Sequence, residues 1–348
     1  MLDYRRHLIA KGSPIKQALA QLNELAADAV LFVVDDNEAL VGSLTDGDVR
    51  RGLLGGLALD GSVENFINTS PKFVLKTKYT LDQIKELRNK NYKIIPVLDE
   101  GRKILNLINF RYFKSYLPVD SVIMAGGKGE RLRPLTDDTP KPLLKIGERP
   151  ILEYNIKRLI SFGVDDFWIC VRYLGEQIER HFKNGDDLNV SIKYIWENHP
   201  LGTIGAVAGI RDFKHDYVLV TNSDILTNID YEDFFAEFLR SQADLSVATI
   251  PYQVSVPFAV METDNGHVLS FREKPTYTYY SNGGIYLMKK EVLNLIPKDR
   301  FFNATDLMES LIASGRKVHS FPVHGYWLDI GRPEDYEKAQ DDIKHISF

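Results

Sequence analysis

The sequence contains a single cysteine, Cys170, among 348 residues. One cysteine cannot form an intrachain disulfide or a cysteine-rich metal cluster. It lies in the apolar run 167–171, which favours a place in a core strand over a role as a nucleophile. No stretch approaches the roughly 20 apolar residues of a membrane span, and the N-terminus lacks the apolar core of a signal peptide. We therefore expect a cytoplasmic protein with no membrane partner.

Basic residues are also in deficit, because 43 Lys and Arg against 48 Asp and Glu give a formal net charge of −5. A nucleic-acid-binding protein needs a basic face, so we expect no nucleic-acid partner, and any anion site must be local. None of the eight histidines has the His-x-x-x-His spacing of a metal site. The length exceeds one ordinary domain and suits two.

Residues 1–117 contain a weak internal repeat, with one copy over 14–50 and the other over 80–113. Each copy has the pattern helix, strand, short turn, strand, helix. The turns fall at 35–38 (DDNE) and 99–102 (DEGR), both of turn-forming composition. This half is therefore predicted to be a tandem α+β module.

The two copies resemble a pair of CBS domains, small modules that commonly bind adenine nucleotides. The most specific piece is the segment GSLTDGDVRR at 42–51. The resemblance implies that Thr45 contacts phosphate and Asp48 holds ribose hydroxyls. Asn109 and Tyr112 stand at these positions in the second copy, and a tyrosine cannot accept two hydroxyls as a carboxylate can. We expect at most one adenine-nucleotide site per chain; the alternative is a dimerisation platform that binds no nucleotide.

From residue 118 to 348, strands alternate with amphipathic helices, which is typical of an α/β domain with a largely parallel sheet. Residues 122–125 and 217–220 are predicted to be buried strands, and 151–162 a helix that starts after Pro150. The sequence DNG at 264–266 predicts a tight hairpin turn. The predicted fold is therefore a Rossmann-like α/β domain with a largely parallel mixed sheet, preceded by the module over 1–117.

The strongest chemical signal is AGGKGERLRPLT at 125–136, followed by PKPLL at 140–144. The string comes directly after a predicted strand, and its glycines let backbone amides approach phosphate oxygens closely. Arg131 and Lys141 supply fixed positive charge for a triphosphate. It is not a Walker loop, since no Gly-Lys-Ser/Thr ends it, and its basic residues follow the glycines, unlike those of a dinucleotide fingerprint.

This string is similar to the signature of the sugar nucleotidyltransferase superfamily, Gly-Gly-x-Gly-Thr-Arg-Leu followed by Pro-Lys-Pro. Five later landmarks occur in the family's order: LGTIGA at 201–206, NSD at 222–224, REKP at 272–275, NGGIY at 282–286 and WLDIGRPEDY at 327–336. No hexapeptide repeat follows, so the acyltransferase β-helix of some related enzymes is not expected. The resemblance covers 120 to the C-terminus and implies an enzyme that joins a nucleoside triphosphate to a sugar 1-phosphate and releases pyrophosphate.

The resemblance also implies a role for each matching residue. The residues implied to surround the nucleotide are Ala125, Gly126, Gly127, Gly129, Gly202 and Thr203, with Gly202 contacting the base through its backbone. The residues implied to bind the sugar phosphate are Glu273, Lys274, Asn282 and Gly283. The catalytic set is Arg131 on the β and γ phosphates, Lys141 on the α-phosphate, Lys274 on the sugar's phosphate, and Asp224 and Asp329 as ligands of Mg²⁺, a hard cation that prefers such oxygens.

Two residues depart from the family pattern. Glu130 replaces the usual threonine, and a carboxylate beside a triphosphate repels it unless it pairs with Lys128 or Arg133. Ala259 occupies a place often held by glycine, and its methyl group is expected to narrow the sugar pocket.

The choice of nucleotide rests on analogy. A CBS-domain pair followed by such a catalytic domain resembles the domain order of bacterial guanylyltransferases that act on amino-sugar or mannose-type sugar 1-phosphates. This resemblance favours GTP as the nucleotide and a role in surface-polysaccharide or glycoconjugate precursor synthesis. UTP, dTTP and CTP are alternatives. An inactive domain that only senses a nucleotide sugar is a further alternative, which the intact charged residues disfavour. We also expect a homo-oligomer.

Overall fold

A computed structural model describes residues 4–346. The described chain forms two compact units. The first contains residues 4–118 together with Ile160–Asp165 and Asp186–Val190, and the second contains Val119–Leu159, Asp166–Gly185 and residues 191–346. The division falls one residue after the boundary expected from the sequence, and two short segments of the later sequence pack with the first unit.

The first unit consists of two similar halves, each with a three-stranded sheet. Its strands are Leu8–Ala10 (β1), Val30–Val34 (β2), Leu40–Thr45 (β3), Val74–Leu75 (β4), Ile94–Leu98 (β5) and Ile104–Asn109 (β6), and its helices are Ile15–Leu25 (α1), Asp46–Leu54 (α2) and Leu81–Asn89 (α3). In each half a parallel pair is followed by an antiparallel pair, β1–β2–β3 and β4–β5–β6. The repeated order confirms the internal repeat, and both predicted turns join antiparallel strands.

The second half differs from the predicted repeat because a turn, not a helix, follows β6 over residues 110–112. The backbone N–H groups of Lys114 and Leu117 donate to the carbonyls of Ser161 and Phe162. These bonds satisfy the backbone of the segment with partners far away in sequence, where a helix would need partners four residues back. The prediction of a final helix in the second copy is therefore wrong.

The second unit holds thirteen strands and five helices among its described residues. The strands are Val119–Ala125 (β7), Lys145–Ile146 (β8), Arg149–Pro150 (β9), Asp166–Val171 (β10), Ser191–Trp196 (β11), Tyr217–Asn222 (β12), Ile225–Thr227 (β13), Leu245–Ser255 (β14), Val260–Asp264 (β15), His267–Arg272 (β16), Thr276–Lys289 (β17), Val318–Pro322 (β18) and Trp327–Asp329 (β19). The helices are Ile151–Ser161 (α4), Gly175–Phe182 (α5), Tyr231–Ser241 (α6), Ala304–Ala313 (α7) and Pro333–Asp342 (α8).

A seven-stranded mixed sheet in the order β11-β10-β7-β12-β17-β14-β18 is the centre of this unit. Strands β11, β10, β7 and β12 run parallel to one another, whereas β17 is antiparallel to both neighbours. Every residue of β10 is buried, as expected for a central strand covered on both faces. The predicted largely parallel mixed sheet is confirmed, and so are the predicted strands at 122–125 and 217–220 and the helix after Pro150.

Two local predictions are also tested. Cys170 is fully buried in β10, and burial raises the pKa of its thiol, which confirms a core position. Asn265 and Gly266 join β15 to β16 with φ of 45° and 84°, the left-handed pair that a two-residue hairpin needs. Among the described helices, none is long and apolar enough to span a bilayer.

The outer parts of β14 and β17 leave the sheet as a two-stranded ribbon that ends in the β15–β16 hairpin. We call residues 251–282 the outer ribbon. None of these residues is buried. Towards the sheet, the ladder is irregular between Val247 and Thr249, opposite Gly283 and Gly284, and Gly284 has φ of 71°. The ribbon therefore starts at a bulge that contains two glycines.

Candidate active site

The carboxyl ends of the four parallel strands meet at one edge of the sheet, where open α/β sheets bind their ligands. The next positions along the chain are Gly126 after β7, Arg172 after β10, Glu197 after β11 and Asp224 two residues after β12. All four line a cleft of about 280 Å³. The ends of the four parallel strands thus fix where each of these residues lies.

Glycines of the 125–136 loop lie where side chains would collide. Ala125 is the buried last residue of β7. A Cβ at Gly126 would lie 2.6 Å from the Glu197 Oε1 atom, and a Cβ at Gly129, whose φ is 64°, would lie 2.9 Å from the side chain of Thr136. Gly127 has open space around its Cβ position. The loop therefore passes closely by its neighbours on one side and leaves room for a ligand at Gly127.

Lys141, Asp224 and Asp329 form a charged cluster at the cleft. Lys141 is buried and forms an ion pair with Asp224, and its Nζ lies 4.0 Å from Asp329 Oδ1. The short β13–β19 ladder brings the two carboxylates together, since the Ile330 N–H donates to the Asp224 carbonyl at 3.0 Å. Burial and the Asp224 charge raise the pKa of Asp329, against the lowering effect of Lys141 and Arg131.

Two carboxylate oxygens of this cluster are ligands of the kind that a cation site needs. The Oδ1 atoms of Asp224 and Asp329 are buried and have no hydrogen-bond partner among residues 4–346. Buried carboxylate oxygens are normally satisfied, and unpartnered ones are the ligands that a hard divalent cation prefers. The two residues therefore fit the predicted metal pair.

Four cations and two carboxylates, those of Glu130 and Asp224, line an adjoining opening of about 600 Å³. The cations that line it are Lys128, Arg131, Lys141 and Arg172. The Arg131 guanidinium passes close to Gly331, where a Cβ would be 3.0 Å from Nη2. Glu130 stands where the family usually has threonine. Its Oε1 lies 3.9 Å from the Lys128 Nζ, and Lys128 is one of the two partners expected for this carboxylate. The opening suits an anion with several charges.

Gly202 and Thr203 also line the cleft of about 280 Å³. Gly202 has φ of 79°, and a Cβ there would lie 2.5 Å from the Phe302 carbonyl oxygen. The Thr203 hydroxyl accepts a hydrogen bond from the Ala304 N–H at 2.9 Å, at the first residue of α7. Thr203 thus lines the cleft while its hydroxyl holds the start of a helix.

A third cleft, of about 290 Å³, contains neutral polar groups together with Asp329. Asn282 accepts hydrogen bonds from the Gly284 N–H at 2.9 Å and from the Tyr286 hydroxyl at 3.0 Å. The Gly283 carbonyl accepts from the Trp327 indole N–H at 2.9 Å. Its lining includes Asn282, Gly283 and Thr203 but neither lysine nor arginine. Such a surface is suited to hydroxyl groups.

Two predicted site residues lie elsewhere. Glu273 and Lys274 occupy the turn between β16 and β17, in the outer ribbon, and both are exposed. They line none of the three clefts. Lys274 has φ of 43°, the left-handed region. Ala259 also lies in the ribbon and is exposed, so its methyl group does not narrow any of the three clefts.

Arg172 and Glu197 are cleft residues that the sequence analysis did not select. The Arg172 Nε is buried without a hydrogen-bond partner in the described chain. The Glu197 Oε2 accepts from the Leu201 N–H at 3.2 Å, and burial raises the pKa of its carboxyl. A usable signal was present, since each residue directly follows a strand that is parallel to β7.

In the first unit, Thr45 and Asp48 line a cleft of about 580 Å³. Thr45 begins α2, and its N–H and hydroxyl donate to the Asp48 carboxylate at 2.8 and 2.6 Å. Arg51 contacts the other carboxylate oxygen at 2.5 Å. The cleft also contains Lys72 and Lys93 together with Asp28 and Asp46, so three cations and three carboxylates line it.

The second copy offers much less space at the corresponding positions. Asn109 is buried and Tyr112 is about half exposed, and both line a cavity of about 30 Å³. The Tyr112 hydroxyl donates to Asp28 at 3.3 Å. The two copies therefore differ in volume as well as in sequence.

Comparisons with known proteins agree with this arrangement. The family model described as Nucleotidyl transferase matches residues 120–345. The chain belongs to the nucleotidyl transferase family. The CBS domain model matches residues 7–55 of this nucleotidyl transferase, which is the first half of the first unit.

Two relatives are guanylyltransferases. This nucleotidyl transferase is 31% identical to the mannose-1-phosphate guanylyltransferase of Mycobacterium tuberculosis over 231 residues, which cover 65% of this chain and 64% of that protein. It is 31% identical to the D-glycero-α-D-manno-heptose 1-phosphate guanylyltransferase of Aneurinibacillus thermoaerophilus, covering 65% of this chain and 99% of that one. The match thus spans less than two thirds of the first relative's length and nearly all of the second.

Solved structures share the fold. HddC of Yersinia pseudotuberculosis is similar with a TM-score of 0.51 and 29% identity, over 65% of this chain and 99% of that one. A Bacillus anthracis protein described as a glucose-1-phosphate thymidylyltransferase has a TM-score of 0.53 at 24% identity, over 66% and 97% of the two chains, which concerns the fold alone.

Proposed function

We propose that this nucleotidyl transferase transfers a nucleoside monophosphate from a nucleoside triphosphate to a sugar 1-phosphate and releases pyrophosphate. The observation that carries the proposal is the convergence of a cationic opening, a pair of unpartnered carboxylate oxygens and a hydroxyl-suited cleft at one sheet edge. The names of the two guanylyltransferase relatives support the same chemistry. A cytoplasmic location is part of the proposal, since we expect both substrates there.

The chemistry is an in-line displacement at the α-phosphorus. A phosphate oxygen of the sugar 1-phosphate forms the new P–O bond, the bond from the α-phosphorus to the bridging oxygen breaks, and pyrophosphate leaves with that oxygen. No proton has to be removed from the attacking phosphate. The chief demand is to bring two anions together, and Arg131, Lys141 and Arg172 supply positive charge for that purpose.

We infer that Asp224 and Asp329 hold Mg²⁺. When bound, this ion neutralises charge on phosphate oxygens and helps to orient them. Lys141 lies beside both carboxylates: it forms an ion pair with Asp224, and its Nζ lies 4.0 Å from Asp329 Oδ1. The role of these three residues is to keep opposite charges close together at the point where the phosphates meet.

We propose GTP as the nucleotide substrate on the basis of Glu197. Its carboxylate lies beside Gly126, and Glu197 and Gly202 line the same cleft. An ionised carboxylate only accepts hydrogen bonds, and guanine offers adjacent N1–H and N2–H donors. Uracil and thymine offer a single ring N–H flanked by two carbonyl oxygens, and a carboxylate repels those oxygens. Glu197 therefore favours guanine over those bases.

Pyrophosphate release tests the proposal. GTP with a mannose-type or amino-sugar 1-phosphate is expected to release pyrophosphate in step with formation of the nucleotide sugar. Tight binding of a nucleotide sugar without turnover, for every substrate pair and with Mg²⁺ present, would favour the inactive sensor instead.

For the first unit we propose one adenine-nucleotide site per chain, in the cleft that contains Thr45 and Asp48. A cleft of about 580 Å³ with Arg51, Lys72 and Lys93 accommodates a ribose and phosphates, whereas the second copy has about 30 Å³. A ligand there alters catalysis only through unequal affinity for two states of the enzyme.

Calorimetric titration with AMP, ADP and ATP is the test of this site, with Asp48→Ala as the variant. The Thr80 cap of α3 allows a control, because Gln83→Ala removes an equivalent capping contact away from the cleft. Binding that is lost in Asp48→Ala and retained in Gln83→Ala is expected. Absence of binding, or binding unchanged in Asp48→Ala, would contradict the site.

A further inference from the structure

One aromatic ring lies in the cleft that contains Glu197 and Gly202. Phe301 is the one aromatic side chain among the described residues that line this cleft, and 62% of it is exposed. It lines neither the cationic opening nor the hydroxyl-suited cleft. A single exposed apolar residue is ordinary on a protein surface, so its significance depends on whether the chain holds the ring in this place.

Leu201 links the segment of Phe301 to the Glu197 carboxylate. The Phe302 N–H donates to the Leu201 carbonyl at 2.9 Å. The Leu201 N–H donates in turn to the Glu197 Oε2 atom at 3.2 Å. The ring-bearing segment and the carboxylate are therefore positioned by the same residue, one through its carbonyl and the other through its N–H.

Further contacts fix Phe302, the residue next to the ring. Its carbonyl accepts from the N–H groups of Ile204 and Gly205 at 3.2 and 3.1 Å, and its side chain packs against the core. A Cβ at position 202 would lie 2.5 Å from this carbonyl oxygen, so the close approach needs Gly202. Because Phe302 is held through both its backbone and its side chain, the Phe301 ring is attached to a fixed point beside the cleft.

The chemistry of the ring decides what it can bind. A phenyl ring has no hydrogen-bonding group, so it cannot hold a phosphate by hydrogen bonds. In a nucleoside triphosphate and a sugar 1-phosphate, the one flat aromatic group is the base, and aromatic side chains stack on the face of a base whatever its edge carries. Phe301 also shares its cleft with Glu197, the carboxylate assigned to the edge of the base.

We propose that Phe301 stacks on the face of the guanine whose N1–H and N2–H edge faces Glu197, an inference that rests on the proposed function. The two residues divide base recognition between them. Glu197 distinguishes bases by their edge, whereas Phe301 favours the larger face of a purine over that of a pyrimidine. Selection of GTP over UTP and CTP therefore has two sources, of which only one depends on a charge.

Binding measurements with a base-free probe test the proposal. Phe301→Ala is expected to raise the dissociation constant of GTP by roughly tenfold, the value of one stacked base, and to leave the inhibition constant of inorganic tripolyphosphate unchanged. Phe301→Trp should bind GTP as tightly as the wild type, and Phe301→Leu should not. Ile312→Ala is the matched control, since Ile312 is 64% exposed on α7 and lines none of the three clefts. Because both positions are exposed, far-UV circular dichroism of all variants should be alike.

ITP separates the face of the base from its edge, since it lacks the N2 amino group of GTP and keeps the same fused rings. Phe301→Ala should weaken binding of GTP and of ITP by the same factor, because stacking uses only the rings. Glu197→Gln should change the ratio of the two dissociation constants, because that ratio reports the edge. Calorimetric titration of the full chain with each nucleotide, without sugar 1-phosphate, gives both ratios.

Three results would overturn the proposal. The first is a dissociation constant for GTP that Phe301→Ala leaves unchanged. The second is a loss of tripolyphosphate binding by the same factor as GTP, which a disturbed cleft would produce and a lost stacking partner would not. The third is an unequal loss for GTP and ITP in Phe301→Ala. Turnover is scored separately: a chain that binds GTP through Phe301 but releases pyrophosphate from no substrate pair supports the stacking and contradicts the proposed function.

Discussion

The strand-end cleft and the outer ribbon belong to the same unit and differ in what holds their residues in place. Arg172, Glu197 and Asp224 follow parallel strands of the central sheet within one or two positions, so the sheet dictates where they lie. Lys274 lies on a ladder of two strands without a buried residue. The cleft is thus built on the central sheet, whereas residues 251–282 of the ribbon are not buried by any described part of the chain.

The carboxylate pair gives the largest expected effect. Asp224→Ala or Asp329→Ala should lower kcat by roughly 10²–10⁴-fold, because charge neutralisation by a bound cation is worth several kcal/mol. Calorimetry with Mg²⁺ alone should show binding lost in each variant. Asp264→Ala, in the exposed hairpin turn, is the matched control and should keep both properties. Near-normal turnover of both cleft variants with saturating substrates would exclude the assignment.

Lys141 lies in the strand-end cleft and Lys274 in the outer ribbon, so replacing each in turn tests the two regions separately. Lys141→Ala should lower kcat, since we expect Lys141 to neutralise charge on the α-phosphate. Lys274→Ala should raise the Michaelis constant for the sugar 1-phosphate by roughly tenfold to a hundredfold, the value of a charged hydrogen bond, and change that for the triphosphate little. Steady-state kinetics with each substrate varied in turn will distinguish them. An equal rise for both substrates would count against a sugar-phosphate role of Lys274.

Replacing Glu197 tests whether the strand-end cleft also recognises the base of the nucleotide. Glu197→Gln adds an amide donor that can bond to a carbonyl oxygen of uracil or thymine, so the ratio of kcat/KM for GTP to that for UTP should fall by roughly tenfold to a hundredfold. Glu176→Gln, an exposed change on α5, is the control. An unchanged ratio would remove Glu197 from base recognition.

The smallest expected effect is the pH dependence of that ratio. Burial raises the pKa of Glu197, whereas the Leu201 N–H, Arg172 and His199 lower it; Cys170 lies nearby as a neutral thiol. Because the pKa is raised overall, the carboxylate gains its proton at a higher pH than an ordinary glutamate. The preference for GTP over UTP should then fall as the pH drops from about 7 to about 5. Using the ratio cancels titration of the triphosphates, and a ratio independent of pH in the wild type would contradict the role of the ionised carboxylate.

The sequence was sufficient where a residue type and a neighbouring buried strand pointed to the same place. The glycine loop after β7 and the gathering of Lys141, Asp224 and Asp329 followed from such signals. Arg172 and Glu197 were missed because neither belongs to a glycine-rich motif, although each follows a parallel strand.

Other features depend on contacts that a linear pattern does not contain. The predicted last helix of the second copy is absent because Lys114 and Leu117 bond to residues 161 and 162. The position of Lys274 depends on the direction in which the ribbon leaves the sheet at Gly283 and Gly284, which local propensity does not determine.

The most direct test of the central claim is a panel of GTP, UTP, dTTP, CTP and ATP against mannose-type, amino-sugar, heptose and glucose 1-phosphates, with Mg²⁺ and with pyrophosphate release as the readout. Turnover is expected to require both a triphosphate and a sugar 1-phosphate, with GTP having the highest kcat/KM. Absence of pyrophosphate release from every pair would contradict transferase activity, and a higher kcat/KM with UTP or dTTP than with GTP would contradict the role given to Glu197.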